Sequence, residues 1–508
     1  MTLLADVVAT TGAVAATTKR TAKRDALAQL LRRLDPDEVE PVVGFLLGDA
    51  RQGRIGVGWA SIRDLDCPPA AEPSLAVAEV DAAIDVLAAT TGAGSQGVRR
   101  AQLVALFGRA TADEADFLSR LFVGDMRTGA LAGVVTDAVA ASSGIAAPAV
   151  RRAVMLAGDL GAVARLALHE GEEAVRGIGL EPLRGVLPML ASTSESVAAA
   201  IEDVGEASVE WKLDGARIQV HRAGGEVRIY TRNLNDVTAR LPEVVEVALG
   251  YDADGFVLDG EVLGFLGPEE SPPAFQDTMS RFGRSSTDHA TVLVPQFFDV
   301  LHLDGVDLLD APLTERRRRL ADLVGPHLIP GTITADPDAA AAVLVDALAH
   351  GHEGVMIKAA GSPYEAGRRG KSWRKVKPVH TLDLVVLGVE WGSGRRRGWL
   401  SNLHLGALDP ATGEPVMVGK TFKGMTDEVL RWQTERFLEL ETHRSGHVVW
   451  VRPEQVVEIA LDGAQTSTRY PGGVALRFAR VVRYRDDKPA AEADTLDAVR
   501  SLLARSPS

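Results

Sequence analysis

Residues 210–233 read EWKLDGARIQVHRAGGEVRIYTRN, and this stretch decides how the middle of the chain folds. Apolar and polar residues alternate on both sides of Gly224-Gly225, the pattern of two strands joined by a tight turn. Ahead of that hairpin, Lys212 stands between an apolar run, Ala207 to Val209, and a Leu-Asp-Gly turn. An ammonium group among large, half-buried neighbours is costly unless it is paired or used. Lys212 is therefore either a surface residue of a hairpin or a lysine held in place for chemistry.

The texture changes on both sides of the hairpin. Residues 1–195 carry Ala and Leu at helical spacing, in RDALAQLLRRL, EVDAAIDVLAATTG, DEADFLSRLFVGDMRTGALAGVVTDAVA and APAVRRAVMLAGDLGAVARLAL, and predict an all-helical domain. Residues 196–380 add strands at GFVLDGEVLGF, VLVPQFFDVLHL and GVMIK, with helices at 313–325 and 337–350, and predict an α+β domain. From 381 to 490 five strands are expected, at LDLVVLGVEWG, LHLGALD, VMVGKTF, VVWVRPEQVVEIALD and LRFARVVRYR, interrupted by one helix, DEVLRWQTERFLELE. That content suits a small β-barrel of the OB type. Residues 491–508 are expected to form a frayed helical tail.

Composition narrows the class. A chain of 508 residues has room for about two to four domains. No apolar run reaches membrane-spanning length and the first residues lack a signal-peptide pattern, so a cytoplasmic protein is expected. The single cysteine, Cys67, excludes an internal disulfide and a cysteine-based zinc cluster. A net charge of −14 would argue against a nucleic-acid partner, yet basic residues bunch at RRRR (316–319), RRGKSWRKVK (368–377) and GRRRG (394–398). Charges are screened beyond about 10 Å, so local stripes can outweigh the total. Solvated helix faces are the plain alternative, strongest for the 316–319 run. Only ten of the 55 basic residues are lysines. Where arginine is the default cation, a lysine is a candidate for what arginine cannot do, namely act as a nucleophile.

Lys212-Leu213-Asp214-Gly215 alone is a weak signal. Four clusters downstream strengthen it. LDGEV places Asp259 and Glu261 two residues apart, on one face of a strand. FFDVL supplies Phe298 beside Asp299. EGVMIK sets Glu353 and Lys358 at opposite ends of an apolar strand, and WRKVK aims Lys375 and Lys377 to one side. Any one carboxylate–lysine pair reads most simply as a structural ion pair. All of them in this order supply a nucleophile, carboxylates for a divalent metal, cations for phosphates and an aromatic platform. That inventory fits attack on the α-phosphate of a nucleoside triphosphate. An attacking amine must shed its proton, which burial and neighbouring cations favour, and the same cations offset charge on the phosphoryl oxygens.

With these residues in view, the chain resembles the ATP-dependent DNA ligases of the lysine nucleotidyltransferase superfamily, in the three-domain archaeal, eukaryotic and actinobacterial layout. Six motifs occur in order: EWKLDGAR, TRN, LDGEV, EGVMIK, WRKVK and LRFARVVRYRDDK. TLDLVVLGVEWGSGRRRGW and LFVGDMRTGAL resemble further segments of that family, so the likeness spans nearly the whole chain. The resemblance implies a helical DNA-binding domain, an adenylation domain, an OB domain and a C-terminal tail. Position by position, it implies that Lys212 carries AMP, that Glu210 reads the adenine amino group and that Phe298 stacks on the base. Arg217 and Arg232 fall on contacts to the triphosphate or the DNA 5′-phosphate. Glu261 matches a ribose or metal carboxylate and Glu353 a metal-linked one. Lys375 and Lys377 match the pair on the α-phosphate, and Lys358 completes the nucleotide site. Arg477, Arg480 and Lys488 resemble cations that orient pyrophosphate, although Ala479 stands where the family usually has proline.

The implied substrate is ATP, with Mg2+ or Mn2+, and the implied partner is nicked duplex DNA bound by a monomer; no motif identifies a sliding-clamp or repair-protein contact. Residues near 380 are expected to act as a hinge for the OB domain. Among relatives of the same chemistry, an mRNA capping enzyme has no reason to carry so large a helical domain, and RNA ligases usually lack this barrel. NAD-dependent ligases carry a cysteine-based zinc module. A non-catalytic DNA-binding scaffold is the alternative from another class, and the intact motif residues argue against it.

Overall fold

The computed structural model describes residues 1–53, 55–65, 67–92, 94–126, 132–265, 292–365, 369–393 and 396–503. The sequence readings at 127–131, 368 and 394–395 lie outside these.

Helices run from Leu4–Ala15 to Glu172–Arg176 around one apolar core that includes Leu27, Leu31, Phe45, Ile84, Leu118, Val139 and Val163. These are the residues that recur at helical spacing, so burial of one face of each helix sets the packing. Two stretches that read as continuous helix are divided. Ala112–Val123 ends at Gly124, which takes φ +71°, and the next helix is Ala132–Ser143. Ala147–Ala157 ends at Gly158, and Leu160–His169 restarts on the side chain of Asp159, which accepts from the Ala162 N–H at 3.1 Å. A left-handed glycine followed by a capping aspartate ends one helix and begins another more cheaply than a single long helix could bend.

The middle region is two sheets laid against each other. The first has the order β1-β10-β9-β2-β8, formed by β1 (Leu190–Thr193), β2 (Ala207–Lys212), β8 (Gly331–Thr334), β9 (Gly354–Ala359) and β10 (Arg369–Val376). The second has the order β4-β3-β5-β6-β7, formed by β3 (Ala216–Ala223), β4 (Glu226–Thr231), β5 (Gly255–Phe265), β6 (Val292–Leu303) and β7 (Val306–Asp307). Outer faces are covered by helices. Val197–Val204 and Pro337–Ala349 pack on the first sheet through Val209, Val355 and Ile357. Pro242–Leu249 and Leu313–Val324 pack on the second through Val220, Phe256 and Val300. The expectation of helix up to residue 195 is corrected at Leu190–Thr193, which pairs parallel with β10; its partner lies about 180 residues away and no local pattern announces it.

The C-terminal β domain contains β11 (His380–Trp391), β12 (Leu400–Leu408), β13 (Pro415–Thr421), β14 (Glu441–Ser445), β15 (Val448–Val451), β16 (Val456–Leu461), β17 (Gly463–Thr466), β18 (Val474–Arg477) and β19 (Arg480–Tyr484). Along one edge β11 pairs first with β16 and then with β15, while β12 holds its other edge, so the long strand curls the sheet around a core of Leu384, Val386, Leu405, Phe437 and Ile459. The five expected strands become nine among the described residues. VVWVRPEQVVEIALD breaks into β15 and β16 around Pro453, which cannot donate to a ladder, and LRFARVVRYR breaks into β18 and β19 at Phe478. The expected frayed tail is corrected over the described residues 491–503, while 504–508 lie outside them. Leu496 and Val499, on the helix Leu496–Arg500, are buried in the β-domain core.

Candidate active site

Alternation along strands selects which side chains meet between the two sheets. On β2, Ser208, Glu210 and Lys212 share one face, while Ala207 and Val209 join the outer core. On β9, Met356 and Lys358 face the cleft; on β10, Trp373 and Lys375 do, with Lys377 next in phase. The second sheet contributes Arg217 from β3, Glu261 from β5 and Phe298 from β6. Together they line a cavity of about 590 Å³. Eleven of the thirteen sequence-predicted site residues lie in its wall: Glu210, Lys212, Arg217, Arg232, Glu261, Phe298, Glu353, Lys358, Lys375, Lys377 and Arg477.

Two do not. Arg480 is 44% exposed through its side chain and, among the described residues, pairs with Asp462 at 4.0 Å. Lys488 bonds Asp383 at 2.8 Å, beside Arg485, on the body of the β domain. In the structure it braces the start of β11 and does not enter the cavity.

Lys212 lies at the end of β2, its Nζ in contact with Glu353 Oε2, and the Glu353 N–H donates to the Lys212 carbonyl at 3.0 Å. Glu353 also lies 3.6 Å from both Lys377 Nζ and Arg477 Nη2. Burial pushes the Glu353 carboxyl up, but the Lys212 ammonium and Lys377 outweigh it and leave the group below its ordinary range. Behind Lys212, the Trp211 ring is flanked by His350 and His352, with centroids 4.7 and 4.8 Å away. Gly215 closes the Leu-Asp-Gly turn where a Cβ would run into the Val262 carbonyl of β5, so the turn can approach the second sheet only without a side chain.

At the other end of the cavity, Glu210 is fully buried. Its Oε1 accepts from Ser208 Oγ at 2.7 Å and from Arg317 at 3.0 Å, and Oε2 lies 2.6 Å from Lys358 Nζ. Lys358 Nζ sits between the rings of Phe298 and Trp373, 4.3 and 4.4 Å from their centroids. Burial lowers the Lys358 pKa, with Glu210 opposing the shift. Phe298 reaches this position because the β5–β6 ladder slips there. Asp259 pairs with Asp299 and Gly260 with Phe297, and Phe298 is left over as a bulge. Bulges re-aim side chains at functional sites.

Arg217 is held rigidly. Its Nε and Nη2 reach Asp259 at 3.0 and 2.6 Å, Nη1 donates to the Met189 carbonyl at 2.8 Å, and Tyr364 donates to Asp259 at 2.7 Å. Glu261, next on the same face, makes no side-chain hydrogen bond or ion pair among the described residues. Burial pushes its carboxyl up to about 7, against the pull of Lys212 and Arg217.

Residues to which the sequence reading gave no role complete the site. Asp214 accepts from Arg477 at 2.8 and 3.3 Å, Asp462 pairs with Lys377 at 2.6 Å, and Phe478 lines the mouth. Trp373 and Phe478 were detectable, the first in phase with Lys375 and the second beside Arg477 in the last motif; Asp462 carried no local signal. The RRRR run is corrected: Arg316 and Arg317 are buried partners of Asp299 and Glu210, and only Arg318 and Arg319 make outer pairs with Glu315.

A divalent cation fits this wall. Glu261 is a carboxyl without a cationic hydrogen-bond partner, and Glu353 faces the same cavity. No group of three His, Cys, Asp or Glu side chains converges among the described residues. That suits an ion of the Mg2+ type, which takes one or two carboxylates and fills its shell with phosphate oxygens and water.

Comparison with known proteins identifies the group. Residues 60–140, 188–377 and 396–488 match, respectively, the DNA ligase N terminus, the ATP dependent DNA ligase domain and the ATP dependent DNA ligase C terminal region. A probable DNA ligase of Pseudarthrobacter chlorophenolicus is 58% identical over 506 residues, covering 99% of both chains. One of Nocardioides sp. is 58% identical over 509 residues, again covering 99% of both. The solved structure Pmar-Lig_PreS3 shares the fold at TM-score 0.61 and 18% identity, over 94% of this chain and 99% of that one. With its three regions in this order and relatives this close along its whole length, the chain belongs to the ATP-dependent DNA ligase family.

Proposed function

We propose that this enzyme seals 5′-phosphate/3′-hydroxyl nicks in duplex DNA through a lysyl-AMP intermediate on Lys212. The observation that carries the reading is the position of Lys212 Nζ: in a cavity wide enough for a nucleotide, touching Glu353, with Lys375, Lys377 and Arg477 in the same wall. In the first step Nζ attacks the α-phosphorus of ATP, a P–N bond forms, and the bond to the β-phosphate oxygen breaks to release pyrophosphate. Glu353, in contact with Nζ, orients the amine, whose proton is lost to water as it attacks. The cations in the wall offset the charge that develops on the phosphoryl oxygens. In the second step a 5′-phosphate oxygen of the nick attacks the same phosphorus and the lysine leaves. In the third the 3′-hydroxyl attacks the activated 5′-phosphate, AMP leaves, and the strand is closed.

Glu210 offers its carboxylate to the adenine amino group, and Phe298 is the base platform. Arg217 and Arg232 take phosphate oxygens; Arg477 and, after movement of the β domain, Arg480 and Lys488 orient pyrophosphate. Mg2+ or Mn2+ held by Glu261 and Glu353 would neutralise phosphate charge. Domains at 1–195, 196–380 and 381–490, with a tail at 491–508, let a monomer surround the duplex, reading shape and phosphates more than sequence. A cytoplasmic place, on the nucleoid, and a role in replication, repair or recombination follow from that substrate, as would any sliding-clamp or repair partner.

The test is a sealing assay with a 5′-labelled nicked duplex, ATP and Mg2+. Ligated product from the wild-type protein, lost in Lys212→Ala, supports the reading. Ligation of nicked RNA in preference to DNA would replace it with RNA ligation.

A further inference from the structure

Phe478 combines two unfavourable features at one position. Its backbone takes φ +54°, a left-handed conformation that L side chains rarely adopt, and the residue is 57% exposed. It sits in the turn between β18 and β19, directly after Arg477, which reaches across to Asp214. Among the described residues lining the nucleotide cavity, Arg477 and Phe478 are the two that the C-terminal β domain supplies. Lys377 and Lys423 place their Nζ atoms 5.7 and 5.6 Å from the ring centroid, holding it at the mouth. Strain at a functional site persists when the strained geometry serves the function. An exposed apolar ring at the mouth of the cavity gains cover when a nucleotide fills it.

We propose that Phe478 is a positioning residue for lysine adenylation. The ring closes over the nucleotide in the cavity and keeps water, the competing nucleophile, from the α-phosphate while Lys212 attacks it. It then leaves with the β domain before the nick is sealed. This rests on the lysyl-AMP reading above. Closing elements of this kind raise the yield of the intended transfer by excluding solvent.

Two substitutions separate the ring from the backbone. Phe478→Asn tolerates the left-handed conformation but removes the ring; Phe478→Tyr keeps the ring and the strain. Single-turnover formation of lysyl-AMP from ATP is measured beside sealing, without ATP, of a nick already adenylated at its 5′-phosphate. Phe478→Asn is expected to slow lysyl-AMP formation about ten-fold or more and to raise the share of ATP lost to free AMP, with sealing of the adenylated nick changed by less than about two-fold. Phe478→Tyr is expected to restore the first step. The inference is overturned if Asn matches wild type in the first step, if both steps fall together, or if Tyr is as slow as Asn. A wild-type protein that forms no lysyl-AMP at all would instead overturn the reading on which the inference rests.

Discussion

Glu261 shows how burial sets the behaviour of a single carboxyl. Its pKa is raised by burial from 4.5 to about 7. Between those pH values the unfolded chain has released this proton and the folded chain has kept it. The folded state binds more protons, so stability falls as pH rises through that window and stays lower above it. Glu261→Gln removes the penalty. The variant is expected to match wild type near pH 4 and to be more stable at pH 8, by on the order of 3 kcal/mol, in urea titrations without metal. Excess Mg2+ should narrow the difference if the ion binds this carboxylate. The reverse sign at pH 8 would show that Glu261 is stabilised as an anion. Lys212 and its motif were legible at this scale because the chemistry is local: a lysine, a turn and an acidic strand within about 50 residues. Asp462, the partner of Lys377, was not, since 85 residues separate the two and nothing in its own segment marks Asp462.

At the scale of elements, the helix Leu313–Val324 is tied to the second sheet by a fully buried pair. Arg316 Nε and Nη2 reach Asp299 at 2.7 and 3.1 Å, and Nη1 donates to the Ala311 and Ser362 carbonyls. Removing one partner leaves an uncompensated buried charge, so Arg316→Met is expected to cost about 3–5 kcal/mol, read as a lower midpoint in denaturant. Replacing both partners by apolar residues should recover much of that loss. A single substitution costing under about 1 kcal/mol would contradict the structural assignment of this arginine. Gly215→Ala is expected to depress lysyl-AMP formation more than stability, because the clash with the Val262 carbonyl displaces the turn that follows Lys212. Its melting temperature and adenylation rate check this together; a large loss of melting temperature with an unchanged rate would contradict it. The same helix marks the limit of sequence reading. Four consecutive arginines look like a solvated or DNA-facing stripe until Asp299 and Glu210, from two different sheets, are brought under them. Strand alternation was readable at LDGEV and WRKVK. The slip of the ladder that re-aims Phe298 was not, because it depends on register against a neighbour.

At the scale of the molecule, the β domain is closed on the cavity. Arg477–Asp214 and Lys377–Asp462 span the junction, and only Lys377, Pro378 and Val379 lie between β10 and β11. On the proposed reaction, the β domain would move between adenylation and sealing to admit DNA past these contacts, as hinged enzymes do through a few residues. Val379→Pro, which fixes φ in that link, is expected to change the ratio of the adenylation and sealing rates at least about three-fold, whereas wild-type rates for both would remove the hinge from the account. The three-region plan was visible in the sequence because helical and strand periods change abruptly near the boundaries. The closed arrangement was not, since it rests on ion pairs between segments up to 263 residues apart.

The most direct measurement is transfer of label. The protein is stripped of AMP with pyrophosphate and Mg2+, incubated with α-labelled ATP, resolved under denaturing conditions and mapped by peptide mass, with labelled GTP and NAD+ and the Lys212→Arg variant alongside. Label from ATP alone, on the peptide containing Lys212, absent from the variant and discharged by nicked duplex DNA, is the predicted result. Label on another residue, or label that nicked DNA does not remove, would contradict the account.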